Sequence, residues 1–295
     1  MSDHPHKAGF VSIIGKPNVG KSTLMNALVG ERLSIITSKA QTTRHRIMGI
    51  LSGENFQIIY SDTPGILKAE YKLHESMMGF VNSSFEDADV LLFVTDLYEK
   101  FEDEKQINFL KDLDIPKILV MNKLDLAKGS QAEDKMAYWQ ELFDFDAALC
   151  VSALQETNIS ELFDTIIDKL PEHPPYFPKD QLTDKPERFF VDEIIREKLF
   201  LNYKKEVPYS CQVVTQSFKE DEKIIRIRAD IYVERKSQKG IVIGHKGEGL
   251  KKVGIAARQD LEQFFGKQVH LETYVKVEQD WRKNELKLKM FGYNE

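Results

Sequence analysis

The sequence predicts an α/β fold with a doubly wound, mostly parallel sheet, followed by a smaller α+β domain. In the first half, short apolar runs typical of buried strands alternate with helical patterns, the order that builds a parallel sheet. Residues 171–178 contain four prolines, as expected of an extended domain boundary. Single cores usually stop growing near ~250–300 residues. We therefore expect domains at 1–170 and 181–295, joined by a linker at 171–180.

Charge is distributed unevenly between the two predicted domains. Residues 1–180 hold 18 Lys and Arg against 28 Asp and Glu, a net charge of −10. Residues 181–295 hold 23 Lys and Arg against 19 Asp and Glu, a net charge of +4. A basic half joined to an acidic half suggests that the second domain meets a polyanion. The alternative reading is chance variation in charge between domains.

The composition is that of an ordinary globular protein and favours a cytosolic location. No apolar run approaches the ~18 residues that cross a bilayer. The N-terminal sequence MSDHPHK lacks the apolar core of a signal peptide. Cys150 and Cys211 are far apart in the chain and form no metal or redox motif, so we expect both to be buried as small apolar residues.

Residues 9–30 predict a strand, a phosphate-binding loop and a helix. The segment GKPNVGKS fits the pattern G-x-x-x-x-G-K-[ST]. Glycines let backbone N–H groups converge on phosphates, and the following helix begins with unpaired N–H groups. Lys21 would reach the β- and γ-phosphates, and the Ser22 hydroxyl would bind Mg²⁺. The alternative is a glycine-rich turn that binds nothing. The predicted nucleotide contacts here are Gly15, Lys16, Pro17, Asn18, Val19, Gly20, Lys21, Ser22 and Thr23.

The next stretch predicts a loop and a strand pair that ends in a second nucleotide motif. Residues 31–46 have no helical period and are expected to be exposed and mobile. Strands are expected at 47–51 and 56–60. The second strand leads into the D-x-x-G segment Asp62, Thr63, Pro64 and Gly65. Asp62 is suited to bind Mg²⁺ directly or indirectly. The N–H group of Gly65 is suited to donate a hydrogen bond to the γ-phosphate.

Two later strand ends predict a guanine pocket. Buried strands are expected at 90–95, 118–121 and 147–151, with helices at 101–113 and 158–170. The N-K-x-D segment supplies Asn122, Lys123 and Asp125, and the last strand ends in Ser152, Ala153 and Leu154. A carboxylate can accept from guanine N1–H and the 2-amino group, whereas adenine lacks that donor pair. Ligands of such sheets bind at the carboxyl ends of the strands, where all these motifs fall.

The second half predicts a type II KH domain that binds RNA. A helix is expected at 189–203, strands at 209–218 and 223–233, a helix at 248–265, a strand at 268–277 and a charged helix at 279–290. A G-x-x-G loop between two helices lets a nucleic-acid backbone approach closely. The alternative is a KH-like fold used only for packing. The predicted RNA contacts are Ile243, Gly244, His245, Lys246, Gly247, Lys239, Lys251 and Lys252, with Lys236 and Arg258 nearby.

Together these motifs resemble the Era family of ribosome-assembly GTPases over nearly the whole chain. The resemblance rests on GKPNVGKST at 15–23, QTTRHR at 41–46, DTPG at 62–65, NKLD at 122–125, VSAL at 151–154, EIIREKLF at 193–200 and GIVIGHKG at 240–247. It implies a GTPase that uses GTP, GDP and Mg²⁺. It also implies binding to 16S ribosomal RNA near its 3′ end and action in assembly of the 30S subunit. We expect a monomer that does not bind DNA.

The resemblance also assigns the switch segments. Thr42 and Thr43 belong to switch I, and we expect Thr43 to bind Mg²⁺, with Thr42 as the alternative. The segment after Asp62 is switch II. In the wider group of GTPases that this chain resembles, the asparagine at the position of Asn18 is associated with a monovalent cation, K⁺. The alternative interpretation is that Asn18 is only a turn residue. The expected catalytic set is Lys21, Thr43, Gly65 and Asn18.

Ile66 follows D-x-x-G, where Ras-like GTPases carry a glutamine that orients the attacking water. Because an isoleucine cannot orient water, the sequence predicts slow intrinsic hydrolysis. The water would be held by the backbone, by K⁺ or by a group supplied in trans. No convincing general base is found, and Glu31, Asp96 and His74 are interpreted as solvated or structural.

GTP binding is expected to order residues 31–46 and 62–84 and to act on RNA binding through the proline linker. Two alternatives remain open. In the first, the switch acts mainly on a protein partner. In the second, it acts at the inner face of the cell membrane, where Lys283, Lys287 and Lys289 would touch anionic lipid as a peripheral contact.

Overall fold

The computed structural model describes residues 5–99 and 104–293, which divide into two compact units. Unit 1 consists of Met1–Ser34, Thr43–Lys68 and Met77–Asp184. Unit 2 consists of Ile35–Thr42, Ala69–Ser76 and Lys185–Glu295. Two short segments from the first half of the chain therefore belong to the second unit.

Within the described residues, unit 1 contains a six-stranded sheet in the order β2-β3-β1-β4-β5-β6. Its strands are β1 (Lys7–Ile14), β2 (Ile47–Ser52), β3 (Phe56–Asp62), β4 (Val90–Asp96), β5 (Lys117–Asn122) and β6 (Ala147–Cys150). All neighbours are parallel except β2 and β3, which are antiparallel. Every residue of β4 is buried, as expected of a central parallel strand. The predicted mostly parallel α/β sheet is confirmed.

The helices in the first half of the chain are α1 (Lys21–Val29), α2 (Lys72–Glu86), α3 (Gln131–Leu142) and α4 (Ile159–Lys169). Short 3-10 helices span Glu104–Lys111 and Leu124–Leu126. The helix expected at 101–113 is thus a 3-10 helix where it is described, and its first three residues lie outside the described residues. Trp139 of α3 is fully buried in a cluster with Leu91, Phe93 and Leu119. Cys150 is only half-buried, whereas Cys211 is buried.

The prediction that residues 31–46 form an exposed segment is wrong for much of its length. Leu33, Ser34 and Thr43 are buried. Arg46 is also buried, and its guanidinium pairs with Asp87 at 2.7 Å. The segment lacks periodicity because it is irregular, not because it is solvated; irregular backbone can be buried where its polar groups find partners.

The proline-rich segment and the residues after it pack against unit 1. The Gln57 side chain accepts hydrogen bonds from the backbone N–H groups of Tyr176 and Phe177 at 2.7 and 2.9 Å. Ile50 N–H donates to Leu182 O at 2.8 Å, which extends the pairing beyond β2. In this division unit 1 ends at Asp184 and unit 2 resumes at Lys185.

Unit 2 has an α+β architecture built on α5 (Glu187–Asn202), β7 (Gln212–Glu220), β8 (Ile224–Val233), α6 (Lys236–Ile243), α7 (Glu248–Phe265), β9 (Gln268–Val277) and α8 (Glu285–Met290). In the described residues its sheet has the order β7-β8-β9, with β7 and β8 antiparallel and β8 and β9 parallel. The strand expected from residue 209 begins later because Pro208–Ser210 form a 3-10 helix. The expected C-terminal helix at 279–290 is divided into a 3-10 helix at Trp281–Lys283 and α8.

Candidate nucleotide and RNA sites

The loop after β1 passes so close to neighbouring strand ends that two of its positions require glycine. Gly15 has φ +150°, and a Cβ there would lie 2.1 Å from the carbonyl oxygen of Val94 at the end of β4. Gly20 has φ +98°, and its Cβ would lie 2.3 Å from Asn122 Nδ2 at the end of β5. The loop therefore lies at the carboxyl edge of the sheet, as the motif predicts.

Lys21, the first residue of α1, directs its ammonium group back into this loop. Its Nζ donates to the carbonyl oxygens of Gly15 at 3.2 Å and Lys16 at 3.0 Å. Burial lowers its pKa to about 8, and this is only partly offset by the charges of Asp62 and Glu99. A buried ammonium with a lowered pKa would be stabilised by an anion in the loop.

A cluster of oxygen atoms surrounds Asp62 at the end of β3. Asp62 Oδ2 accepts from Ser22 Oγ at 2.7 Å and from Ser34 Oγ at 2.8 Å, and Thr43 Oγ1 lies 3.4 Å away. The Ser22 and Thr43 hydroxyl oxygens are 2.8 Å apart. Asp62 is fully buried, and burial raises the pKa of its carboxyl group. Its Oδ1 has no hydrogen-bond partner among the described residues.

These oxygen atoms are the kind of ligand that Mg²⁺ prefers. Thr43 lies in the cluster, whereas Thr42 Oγ1 bonds instead to Thr37 Oγ1 at 2.6 Å and to Lys39 O at 2.8 Å. Ser34 was not predicted from the sequence, since it lies in a stretch with no periodicity and no motif. Among the described residues no group of three or more His, Cys, Asp or Glu forms a metal cluster, so this site depends on hydroxyls and one carboxylate.

The D-x-x-G segment is held against the phosphate-binding loop. Thr63 Oγ1 donates to Ile13 O at 2.9 Å, and Ile66 N–H donates to Gly15 O at 3.0 Å. A Cβ on Gly65 would lie 2.5 Å from the backbone nitrogen of Pro17. The Ile66 side chain packs against the apolar cluster that contains Trp139. Ile66 therefore contributes backbone but no polar side chain at this position.

The two strand ends of the predicted guanine pocket are hydrogen-bonded to each other and to the phosphate-binding loop. Asn122 Nδ2 donates to Val19 O at 2.9 Å, and Asn122 Oδ1 accepts from Ala153 N–H at 3.0 Å. Ser152 Oγ donates to Asp125 Oδ1 at 2.5 Å, which leaves the exposed Asp125 carboxylate oriented by a fixed donor. These bonds bring the phosphate loop, the N-K-x-D segment and the end of β6 into one site.

The remaining predicted nucleotide residues lie in or beside this site. Lys123 has φ +63° and pairs with Asp96 at 2.6 Å. Asn18 is exposed with φ +69°, a conformation that asparagine tolerates better than most residues, so the structure is compatible with its turn role. Leu154 is 72% exposed. Lys16, Pro17 and Thr23 are half-buried, whereas Pro64 is buried.

The G-x-x-G loop of unit 2 connects α6 to α7 and is strongly bent. Gly244 has φ +72°, Lys246 φ +48° and Gly247 φ +84°. A Cβ on Gly244 would lie 2.9 Å from the backbone nitrogen of Gly249, so this position needs glycine for space as well as for conformation. His245 and Lys246 are exposed at the tip of the loop.

A groove of about 410 Å³ begins at this loop and runs between α7 and β9. Its lining residues are Gly247, Leu250, Lys251, Gly254, Ile255, Arg258, Leu271 and Thr273. Lys252 lines an adjacent depression of about 350 Å³ together with Lys251 and Ile255. Ile243 packs against the core of unit 2, and Lys239 is half-buried on α6. The β9 residues Leu271 and Thr273 were missed, because only long-range strand pairing brings them to α7.

Each half of the chain matches a model of a known protein domain. A family model described as a 50S ribosome-binding GTPase matches residues 10–123, and a KH domain model matches residues 206–282. The GTPase Era of Syntrophus aciditrophicus is 47% identical over 98% of this chain and 96% of its own length. The chain belongs to the Era family of GTPases. The resemblance seen in the sequence motifs and the predicted KH fold of the second domain are thereby confirmed.

Two solved structures extend this agreement to three dimensions. Era of Aquifex aeolicus, bound to GDP·AlF4⁻, has a TM-score of 0.94 at 40% identity and covers 98% of this chain and 100% of its own. An Era complex with MgGDPNP and nucleotides 1506–1542 of 16S ribosomal RNA has a TM-score of 0.92 at 40% identity and the same coverage. None of the described helices is both long and apolar enough to span a bilayer.

Proposed function

We propose that this protein is a GTP-hydrolysing switch that binds 16S ribosomal RNA near its 3′ end through its KH domain. It acts in assembly of the 30S subunit, in the cytoplasm. The observation that carries this proposal is the presence, in one chain, of a phosphate loop joined to an N-K-x-D pocket and of a cationic glycine-loop groove. A related Era structure with a nucleotide and a 16S fragment bound supports the RNA assignment.

In the nucleotide site, Ser22, Thr43 and Asp62 would hold Mg²⁺, because their oxygen atoms already converge. When bound, Mg²⁺ would neutralise charge on the phosphate oxygens. Lys21 places its ammonium in the phosphate loop, and Gly65 lies directly beside Pro17 of that loop. Asp125, oriented by Ser152, would accept from guanine N1–H and the 2-amino group.

Intrinsic hydrolysis would be slow, because Ile66 offers no side chain that orients water. Its N–H is already donated to Gly15 O. Asn18 is the side chain that would help to hold K⁺ beside the phosphates, where an arginine finger's charge would otherwise lie. Stimulation of hydrolysis by K⁺ over Na⁺, reduced in an Asn18→Ala variant, would support this role, and equal rates in both salts would contradict it.

The proposal is tested by filter binding of the full chain to a single-stranded 16S 3′-terminal RNA. We expect tighter binding with a GTP analogue than with GDP, because γ-phosphate contacts order switch segments. Equal affinities in the two nucleotide states would contradict the switch. A scrambled RNA of equal length separates sequence recognition from general attraction to a polyanion.

A protein partner is the first alternative, and the glycine loop distinguishes it. Gly244→Asp with Gly247→Asp would place two carboxylates where an RNA backbone must approach. If RNA anchors the protein, ribosome association in a sedimentation assay is lost while GTP binding is retained. If ribosome association survives, the anchor is a protein contact instead.

A peripheral membrane contact is the second alternative, favoured by one observation. On α8, Leu286 and Met290 are 73% and 80% exposed and lie one helical turn apart; Lys289 of α8 and Lys283 of the preceding 3-10 helix are also exposed. Lys287, by contrast, pairs with Glu278, which weakens the basic face. Flotation of the protein with anionic vesicles, lost in a Leu286→Ser/Met290→Ser variant, would support a fraction at the inner membrane face. Protein that stays at the bottom of the gradient while the vesicles float would contradict the membrane contact.

A further inference from the structure

The segment Ile35–Thr42 directly precedes Thr43 and belongs to unit 2, where it is attached to helix α5. Lys39 Nζ donates to two backbone carbonyl oxygens at the end of that helix, those of Phe200 and Tyr203. A second bond joins Ile36 N–H to Glu197 Oε1 at 3.3 Å. The segment is therefore attached to α5 by its backbone as well as by one long side chain.

The end of α5 is a suitable acceptor for a cation. The last four carbonyl groups of a helix have no partner within the helix, and the C-terminal end carries partial negative charge. α5 ends at Asn202, so Phe200 O and Tyr203 O lie at this end. Partial burial lowers the pKa of Lys39, and the neighbouring charge of Lys204 adds to this effect.

Internal hydrogen bonds connect Lys39 to the end of its own segment. Lys39 O accepts from Thr42 Oγ1 at 2.8 Å, and Lys39 N–H donates to Thr37 Oγ1 at 3.2 Å. Thr37 Oγ1 and Thr42 Oγ1 lie 2.6 Å apart. The segment is thus closed into a bonded loop. Its last residue, Thr42, is joined by a peptide bond to Thr43, whose hydroxyl lies in the proposed Mg²⁺ site.

We propose that Lys39 is a positioning residue that holds Thr43 in place for Mg²⁺ and thereby favours GTP over GDP. This inference rests on the proposed function, because it uses Thr43 as an Mg²⁺ ligand. The contacts of switch I with Mg²⁺ and the γ-phosphate are made in the GTP state and released after hydrolysis.

The experiment compares GTP-analogue and GDP affinities in the full chain carrying Lys39→Met, measured with fluorescent nucleotides and Mg²⁺. We expect about a tenfold loss for the GTP analogue and less than a twofold change for GDP, since losing charged hydrogen bonds has effects of this size. Lys39→Arg should recover most of the loss, because arginine also donates to carbonyl groups. Lys204→Met is the matched control, since it removes an exposed charge near the same helix end.

An unchanged ratio of the two affinities in Lys39→Met would overturn the inference. An equal loss for both nucleotides would also overturn it, because it would mean that Lys39 supports the fold in general. If Lys39→Met does not fold, Lys39→Gln removes the charge while keeping a polar side chain, and the same ratio decides. Wild-type protein that binds no guanine nucleotide would refute the proposed function itself, and this inference with it.

Discussion

The nucleotide site and the glycine-loop groove are proposed to bind phosphate-rich ligands, but they are built in opposite ways. Lys21 and Asp62 are 6% and 0% exposed; Lys21 donates to the carbonyl oxygen of Gly15 in the phosphate loop, and Asp62 accepts from the Ser22 hydroxyl of α1. Lys251 and Lys252, by contrast, are exposed on α7 beside an open groove. A site whose polar groups are oriented by hydrogen bonds discriminates by leaving mismatched groups unpaired, whereas an exposed cationic surface attracts phosphates with little selectivity and is screened by salt.

The largest expected effect tests discrimination in the nucleotide site. Asp125→Asn replaces an acceptor with an amide donor that faces the guanine N1–H and 2-amino group. We expect GTP affinity to fall on the order of 10³-fold and XTP affinity to rise, because mismatched polar pairing at a built site discriminates strongly. Competition between GTP and XTP for a labelled nucleotide measures the exchange of preference.

Asp112→Asn is the control for this change, since Asp112 is exposed and lies outside the strand ends that form the pocket. It should leave both affinities unaltered. Retention of the wild-type GTP preference in Asp125→Asn would refute the guanine assignment.

The second prediction concerns the open groove and is smaller. Lys251→Glu with Lys252→Glu reverses two charges along α7 and should weaken RNA binding by about 10- to 100-fold at low salt. For a single strand, the logarithm of the binding constant falls with the logarithm of the salt concentration, with a slope of about 0.7 per phosphate contact. Loss of two contacts should therefore make this slope shallower by about 1.4. Filter binding across a salt series measures both effects.

Lys283→Glu with Lys289→Glu makes the same charge change at exposed positions that line neither the groove nor the adjacent depression. RNA affinity and salt slope should remain those of the wild-type protein, apart from a small loss of general attraction. If both double variants weaken RNA binding equally, the groove is not the RNA site and net charge alone accounts for binding.

The difference between the two sites also explains what the sequence could predict. Asp62, Asn122 and Asp125 follow apolar runs, so their place at strand ends was readable from local pattern. Ser34 was not, because nothing near it in sequence indicates that its hydroxyl meets Asp62. Leu271 and Thr273 were hidden for a similar reason, since parallel pairing of β9 with β8 is a long-range event.

Two helices were missed although a signal existed. In α2, Leu73, Met77 and Phe80 recur at helical spacing and are buried, and α3 buries Ala132 and Trp139 seven residues apart. The exposure predicted for residues 31–46 failed for a different reason. The absence of a helical period predicts an exposed segment, but Ser34 and Arg46 are buried with hydrogen-bond partners.

The third prediction uses the buried ammonium of the nucleotide site. Burial lowers the Lys21 pKa to about 8, and bound phosphates would raise it again because they favour the charged form. Binding then takes up a proton above pH 8, so GDP affinity should fall as pH rises above 8, at most about tenfold per pH unit. Below pH 8, Lys21 is protonated in both states and this dependence disappears.

Measurement of GDP affinity between pH 7 and 9 checks this, with Lys21→Arg as the control. Arginine stays charged throughout, so the variant should lack the Lys21 contribution whatever its absolute affinity. Deprotonation of guanine N1 at alkaline pH affects both proteins alike and cancels in the comparison. Parallel pH profiles for the two proteins would contradict the assignment.

The last prediction concerns stability rather than ligand binding, and asks whether unit 2 also contains a carboxylate that is costly to ionise. Asp192 of α5 accepts from Thr215 Oγ1 at 2.6 Å, and desolvation raises its pKa from 3.8 to about 8 in spite of that bond. The folded protein then binds one more proton than the unfolded chain between about pH 4 and 8. Stability should therefore fall as pH rises through this range.

Asp192→Asn removes this titration while keeping an oxygen that can accept from Thr215. The variant should match the wild type in Tm near pH 4 and exceed it by on the order of 10 °C at pH 8, with RNA affinity unaltered. Asp280→Asn, an exposed change in the same unit, should give no pH-dependent difference. If the Tm difference between Asp192→Asn and the wild type does not change between pH 4 and pH 8, Asp192 is ionised in the folded protein throughout this range, which would contradict the prediction.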